Sequence, residues 1–453
     1  MITSFLSNDT ICAVATAPGM GAIAVVRLSG LQSHDIVCRL FHQHDKPFQK
    51  EQIVGYRAYY GQIVDLDDAV VTFFKAPHSF TGEDSVEISV HGSVFIQQRL
   101  LELLVESGAR MAMPGEFTRR AFVNRKFDLA QAEAVADIIA SQNAAAHRLA
   151  MNQLKGGFSK ELQALRAQLL EITSLIELEL DFSEEDVEFA DRTQLKSLLD
   201  KTQSHITNLI ASFKLGNAIK NGIPVAIVGE TNTGKSTLLN ALLGEDRAIV
   251  SDIAGTTRDT IEEVMNLDGI LFRFIDTAGI RETEETIERI GIERTYKKIH
   301  EADIVIGMMD ATKDSEAIQQ AVHAIVEKVD TSHQTLFLVL NKTDLRHCEC
   351  DNAILISAKT GEGVEALADA IEEAVLGRRS AATGALAVSA RHAILLEEAA
   401  SRLAEAAPLL DAKEWELAAI PLRRTLDALG EITGQTATPD LLDTIFHRFC
   451  IGK

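Results

Sequence analysis

Basic residues are scarce in this chain: 44 Lys and Arg stand against 66 Asp and Glu, a formal charge of -22. Affinity for nucleic-acid phosphates comes from Lys and Arg displacing counterions, so the deficit excludes a broad nucleic-acid-binding face. Any contact with RNA then needs a local patch or help from a second protein. Long apolar runs are missing as well; no segment approaches the roughly 20 apolar residues that a membrane span requires. The opening residues MITSFLSNDTICAV have neither the basic segment nor the long apolar core of a signal peptide, and a cytoplasmic location with no membrane contact is expected. Cysteine is sparse, at positions 12, 38, 348, 350 and 450, with no disulfide framework, which suits a reducing compartment. Cys348 and Cys350 beside His347 lack a fourth ligand, so surface thiols are expected there and not a zinc site.

What is present reads as several domains, two to four for 453 residues. Residues 1–120 are mixed α/β, with strands expected at 22–28, 56–64, 69–74 and 86–90 and a helix over 94–106. From 121 the pattern turns to long helices. Leu162, Leu165, Leu169, Ile172, Ile176 and Leu180 form one apolar stripe over 158–180, and a second stripe runs over 194–213. An acidic run from Glu177 to Asp191 separates them and reads as a solvated face or a docking surface. Residues 218–378 alternate strand and helix, as a doubly wound α/β domain does. A small-residue linker follows at 380–385, then helices at 389–407 and 413–429, and a last one with Thr438 as N-cap and Pro439 in the first turn. Helices on both sides of the α/β block imply an insertion. The expected order is 1–120, a helical part 121–217, the nucleotide domain 218–378 and a second helical part 379–453.

The chemistry concentrates in VAIVGETNTGKS, residues 225–236. Gly229, Gly234, Lys235 and Ser236 satisfy G-x-x-x-x-G-K-[ST] between a strand and a helix expected from Thr237 to a stop at Gly244, the context that motif needs. Thr233, Gly234 and Thr237 belong to the loop and helix start whose N–H groups wrap phosphates; Lys235 reaches the β- and γ-phosphates and Ser236 ligates Mg²⁺. Downstream, a strand ends in Asn341-Lys342-Thr343-Asp344, where the Asp344 carboxylate accepts two hydrogen bonds from guanine N1 and N2. Adenine has no equivalent donor pair, so the nucleotide is GTP. Ser357-Ala358-Lys359, after another strand, offers its backbone to guanine O6. Between these lie the switches: Asp276-Thr277-Ala278-Gly279 acts through Mg²⁺ and the γ-phosphate, and Gly255-Thr256-Thr257 supplies Thr257 to Mg²⁺. Ile280 occupies the place where many GTPases keep a water-orienting Gln. No arginine finger, worth about 10³ to 10⁵ in rate, is evident either.

Beyond these motifs the chain resembles the MnmE (TrmE) family of tRNA-modification GTPases from end to end. The resemblance rests on Asp9-Thr10-Ile11, Pro18-Gly19, Arg27-Leu28-Ser29-Gly30, Ser79-Phe80-Thr81-Gly82-Glu83-Asp84, Pro114-Gly115-Glu116-Phe117-Thr118 with Arg120-Ala121-Phe122, Asp128 to Ala134, and the terminal Phe449-Cys450-Ile451-Gly452-Lys453. It implies an N-terminal α+β domain that binds tetrahydrofolate and dimerises, a helical bundle domain and an inserted Ras-like P-loop GTPase domain. It implies a constitutive homodimer whose GTPase domains pair with stimulation by K⁺. In that family an Asn of the phosphate loop helps hold K⁺, which maps to Asn232, with Ser251, Ile253 and Thr256 at the other positions and Asp252 and Ala254 completing the loop. The water-positioning glutamate maps to Glu288. Folate contacts map to Arg27, Glu87, Lys126 and Lys453, for a 5,10-methylene or 5-formyl tetrahydrofolate; Met20 stands where the family is associated with a basic residue. The resemblance implies a heterotetrameric or larger complex with MnmG (GidA), which uses FAD and NADH. Together they add an aminomethyl or carboxymethylaminomethyl group to C5 of the tRNA wobble uridine. Cys450 is a candidate thiol nucleophile or an inert helix-end thiol.

Two functions fit the GTPase motifs alone: a GTP-driven tRNA-modifying enzyme, or a ribosome-assembly or signalling GTPase that acts as a binding switch. The PGEF element and the FCIGK terminus separate them, since the second function leaves both unexplained.

Overall fold

The computed structural model describes residues 9–181, 192–247, 263–267, 270–275, 299–331, 334–346, 352–380, 389–412, 414–447 and 449–452. The chain forms two compact units, one of Met1–Ala140, Ala150–Gln203 and Glu398–Lys453, the other of Ser141–Leu149 and Ser204–Glu397. The second is thus inserted into the first.

In the first unit eight strands make one sheet: β1 (Thr10–Val14), β2 (Ile23–Ser29), β3 (Phe41–Gln43), β4 (Lys46–Pro47), β5 (Arg57–Ile63), β6 (Asp67–Phe74), β7 (Ser85–His91) and β8 (Ala109–Met111). Their order is β4-β3-β5-β6-β7-β2-β1-β8, antiparallel except where β8 joins β1. Side chains alternate across a pleated strand. Val71 and Phe73 of β6 and Val86, Ile88 and Val90 of β7 therefore enter one core, packed with α1 (Ser33–Leu40) and α2 (Val94–Glu106). The other face carries a row set by register, Ala13 opposite Arg27, Arg27 opposite Glu87 and Glu87 opposite Thr72.

Helices α3 (Glu116–Val123) and α4 (Leu129–Ala140) follow, then the long helix Gly157–Asp181, one residue longer at each end than the stripe predicts. Leu162, Leu165, Leu169, Ile172 and Ile176 of that stripe are fully buried, each worth about 1.5–3 kcal/mol of transfer free energy. The helix packs against Trp415–Thr433, which ends at Gly434 with φ +83°, where a Cβ would strike the Phe122 ring at 2.8 Å. The last helix, Pro439–Phe446, is capped by the Thr438 hydroxyl as expected. Its Leu442, Ile445 and Phe446, with Phe449, join Phe122 and Leu129 in one cluster. Helix Arg192–Asn221 runs past the end expected at 213.

The second unit holds the strands β9 (Ile223–Gly229), β10 (Glu263–Leu267), β11 (Ile270–Phe274), β12 (Ile304–Asp310), β13 (Thr335–Asn341) and β14 (Ile354–Leu355), in the order β10-β11-β9-β12-β13-β14. Only β10 is antiparallel to its neighbour. The near-continuous apolar run of β9 reflects burial on both faces. Val225 and Ile227 pack with Leu238, Leu239 and Leu242 of the helical stretch Lys235–Arg247, which breaks at Gly244 (φ +26°, ψ 153°), where the stop was expected, while Ala226 and Val228 pack with Val305 and Ile325. Chain order reverses between β9 and β12, and in such sheets ligands bind beyond the strand C-termini at that point.

Candidate functional site

At that reversal β9 delivers the phosphate loop. Gly229 has φ +155°, and a Cβ there would run into the Met308 carbonyl oxygen. Asn232 adopts φ +64°, a left-handed conformation that Asn tolerates better than most residues. Gly234, at φ +94°, lies where a Cβ would overlap the Asn341 amide nitrogen. Helix Lys235–Arg247 then starts with its N–H groups facing the loop, an arrangement suited to phosphate. The Lys235 ammonium donates to the carbonyls of Gly229 at 2.9 Å and Glu230 at 2.7 Å, and the Thr233 hydroxyl donates to Glu230 O.

One side chain joins the phosphate and base motifs. Asn341, 3% exposed at the end of β13, donates from Nδ2 to Thr233 O at 2.8 Å and accepts the Ala358 N–H at 2.9 Å. Asp344 accepts the Ser357 hydroxyl at 2.8 Å, which orients its carboxylate. Lys342 donates to Asp310 at 2.6 Å; the other Asp310 oxygen accepts both N–H and O–H of Thr312. Burial alone pushes the Asp310 carboxyl up, but the hydrogen bonds from Lys342 and Thr312 outweigh it and hold it below its ordinary value. Lys313 forms an ion pair with Glu230 of the phosphate loop, and Arg346 donates to Lys313 O at 2.6 Å. The base and phosphate loops thus share a second link through residues 310–313.

The first unit holds another polar site. Arg27 places Nε and Nη2 at 3.0 and 2.7 Å from one oxygen of Glu87, and its guanidinium lies 5.4 Å from the centre of the Phe80 ring and 5.8 Å from that of Phe117. Phe80 touches Phe127, whose neighbour Lys126 donates to Pro77 O at 3.1 Å. The C-terminal tail reaches the same sheet: Gly452, at φ +95°, sits where a Cβ would meet the Val14 carbonyl of β1. Gly115 N–H donates to Cys450 O at 3.4 Å, and the Cys450 side chain is exposed.

The N-terminal region matches the family model "GTP-binding protein TrmE N-terminus" over residues 10–126, and residues 129–450 match "MnmE helical domain". A tRNA modification GTPase MnmE from Porphyromonas gingivalis is 48% identical, covering 99% of this chain and 98% of its own length. That of Christiangramia forsetii is 46% identical, covering 98% and 99%. That of Cytophaga hutchinsonii is 47% identical and covers 100% of both. This chain belongs to the MnmE family of tRNA modification GTPases.

The chain brings Asn232, Thr233, Gly234, Lys235, Ser236 and Thr237 together with Asn341 to Asp344 and Ser357 to Lys359 in one unit. Residues 251–257 and 276–280, Glu288, Lys453 and residues 347–350 lie outside the described residues. So do 182–191 of the acidic run. Among the described residues no His, Cys, Asp and Glu group could hold a metal ion, and no helix is long and apolar enough to cross a membrane. Arg27 and Glu87, both mapped to the folate by the resemblance, are bonded to each other. Sequence reasoning passed over Asp310, Lys313, Glu230 and Arg346. The available signal was Asp310 closing the apolar run IVIGMMD of β12, since strand ends at a reversal point carry ligand-side residues.

Proposed function

We propose that this protein hydrolyses GTP with K⁺ stimulation and uses that cycle to modify the wobble uridine of tRNA in the cytoplasm. It acts as a homodimer in complex with MnmG, whose FAD and NADH supply redox chemistry. A folate one-carbon unit supplies the methylene carbon bonded to C5, and a separate amine supplies the nitrogen, with the carboxymethyl group where present, of the aminomethyl or carboxymethylaminomethyl substituent. The observation that carries the reading is Asn341 bridging the phosphate loop and the 357–359 loop, with Asp344 aligned by Ser357. That geometry leaves Asp344 to accept the guanine donor edge while Lys235 and the helix start face the phosphates.

With Ile280 unable to hydrogen bond, charge compensation falls to other groups. Mg²⁺ and K⁺, when bound, neutralise charge building on the phosphates. Ser236 suits Mg²⁺, and the exposed Asn232 supplies the oxygen donor that a hard cation takes. Ser251, Ile253, Thr256 and Thr257 would complete the two cation sites, and Glu288 would position the attacking water. In the first unit the second oxygen of Glu87 has no hydrogen-bond partner among the described residues, and Arg27, Lys126 and Lys453 supply the cations for a folate.

Mass spectrometry of tRNA nucleosides from a deletion strain tests the function, and unmodified wobble uridines are the expected result. Hydrolysis in KCl should exceed that in NaCl several-fold, and Asn232→Ala should erase the difference. Equal rates for the parent protein in the two salts would remove K⁺ from the mechanism.

A further inference from the structure

The motifs that tie this chain to its family at the N-terminal end converge on one buried guanidinium. Arg120, 7% exposed, donates from Nη1 to Asp9 O at 3.0 Å and to Glu83 at 3.1 Å, and from Nη2 to Asp9 Oδ1 at 2.7 Å and Glu116 at 3.2 Å. Around it Arg110 bonds Asp9 and Glu116, and the Ser29 hydroxyl donates to Glu83 at 2.7 Å. Breaking one partner of such a buried set leaves uncompensated charge.

Two of the cluster's carboxylates neighbour aromatic residues in the chain. Glu83 lies in the loop that carries Phe80, and that loop is closed by Ser79 donating to Glu83 O at 2.6 Å. Glu116 starts α3, where Phe117 is the next residue, and accepts the Met113 N–H at 2.8 Å. These two rings are the ones beside the Arg27 guanidinium. Arg27 in turn engages a single oxygen of Glu87 with two nitrogens.

We propose that Arg120 is a positioning residue for the Arg27–Glu87 subsite. Through Glu83 and Glu116 it sets the loop of Phe80 and the first turn of α3 that carries Phe117, so that their rings fix the Arg27 fork on one Glu87 oxygen, leaving the other to accept from the ligand. Preorganised sites depend on such supporting contacts. Arg120→Lys keeps the charge but loses the planar fork that serves three carboxylates and a carbonyl. This inference rests on the folate reading above.

The test is titration of the full-length protein with 5-formyl tetrahydrofolate. Arg120→Lys and Glu83→Gln should bind roughly 10-fold more weakly or worse, and should do so even when cooled far below their melting temperatures with full circular-dichroism amplitude. Phe80→Leu, which leaves the ion cluster intact, should lose affinity while melting near the parent temperature. Parental affinity in Arg120→Lys or in Phe80→Leu overturns the proposal, and so does an affinity loss that disappears on cooling. Failure of the parent protein to bind overturns the folate reading and this proposal together.

Discussion

The nucleotide site and the Arg27–Glu87 site are built in opposite ways. In the second unit, each motif is a short contiguous run at the end of a strand, and much of its binding capacity is backbone. Gly229 and Gly234 are there because a Cβ would collide with Met308 or Asn341. In the first unit the polar residues come from positions 9, 27, 83, 87, 110, 116 and 120, and most of their hydrogen-bonding capacity is spent on one another. A backbone cradle is written locally. A side-chain lattice exists only after β1, β2, β7 and α3 have met.

If that contrast is right, the two sites should fail differently. Asp344→Asn should have the largest effect: it turns one acceptor oxygen into an NH2 donor facing a guanine donor and takes the charge from both hydrogen bonds, each worth about 1.5–3 kcal/mol. GTP affinity by fluorescent-nucleotide titration should then fall roughly 10²- to 10⁴-fold, with the melting temperature little changed. A large loss of stability instead would show that this site, too, is structural.

The ion lattice should respond to acid. Burial pushes Glu116 up, yet Arg110, the Met113 N–H and Arg120 together lower its pKa from the ordinary 4.5. A carboxylate lowered in the folded state stabilises the fold fully above its unfolded pKa, and that contribution is lost as pH falls through the folded value. Thermal melts should therefore show stability declining below about pH 4.5, less steeply in Glu116→Gln. An identical acid profile in parent and variant would remove Glu116 from the linkage.

The smallest effect should come from the Glu230–Lys313 pair, because both side chains are about half exposed and solvent screens such pairs. Glu230→Lys and Lys313→Glu should each speed GDP release a few-fold at low salt, and the double swap should restore the parent rate. Single variants indistinguishable from the parent would mean that the phosphate loop does not feel residues 310–313.

The same contrast explains what could be read in advance. The stripe Leu162 to Ile176 announced its helix because burial there follows a helical period, and Thr438-Pro439 announced the last helix start. The phosphate and base motifs were legible with their flanking strands. Without the family resemblance Glu87 reads only as an exposed charge on an alternating strand, since nothing local says that β2 will place Arg27 opposite it. From the sequence, Arg119-Arg120 with Arg125-Lys126 fits a helix-start surface as well as an anion site. Arg120 is instead held inside by Asp9, 111 residues away in sequence. Asn341 was legible as base-recognition residue, while its bond to Thr233 depends on β12 separating β9 from β13.

The placement of Gly452 against Val14 has a consequence for biosynthesis. Strand β1 leaves the ribosome well ahead of the tail that packs on it. At about 5–20 residues per second the wait is roughly 20 to 90 seconds. During that interval Phe122 and Leu129 stand without Phe446 and Phe449. Because Phe446 and Phe449 follow the second unit in the chain, the cluster around Phe122 is completed only after every GTPase motif has been synthesised.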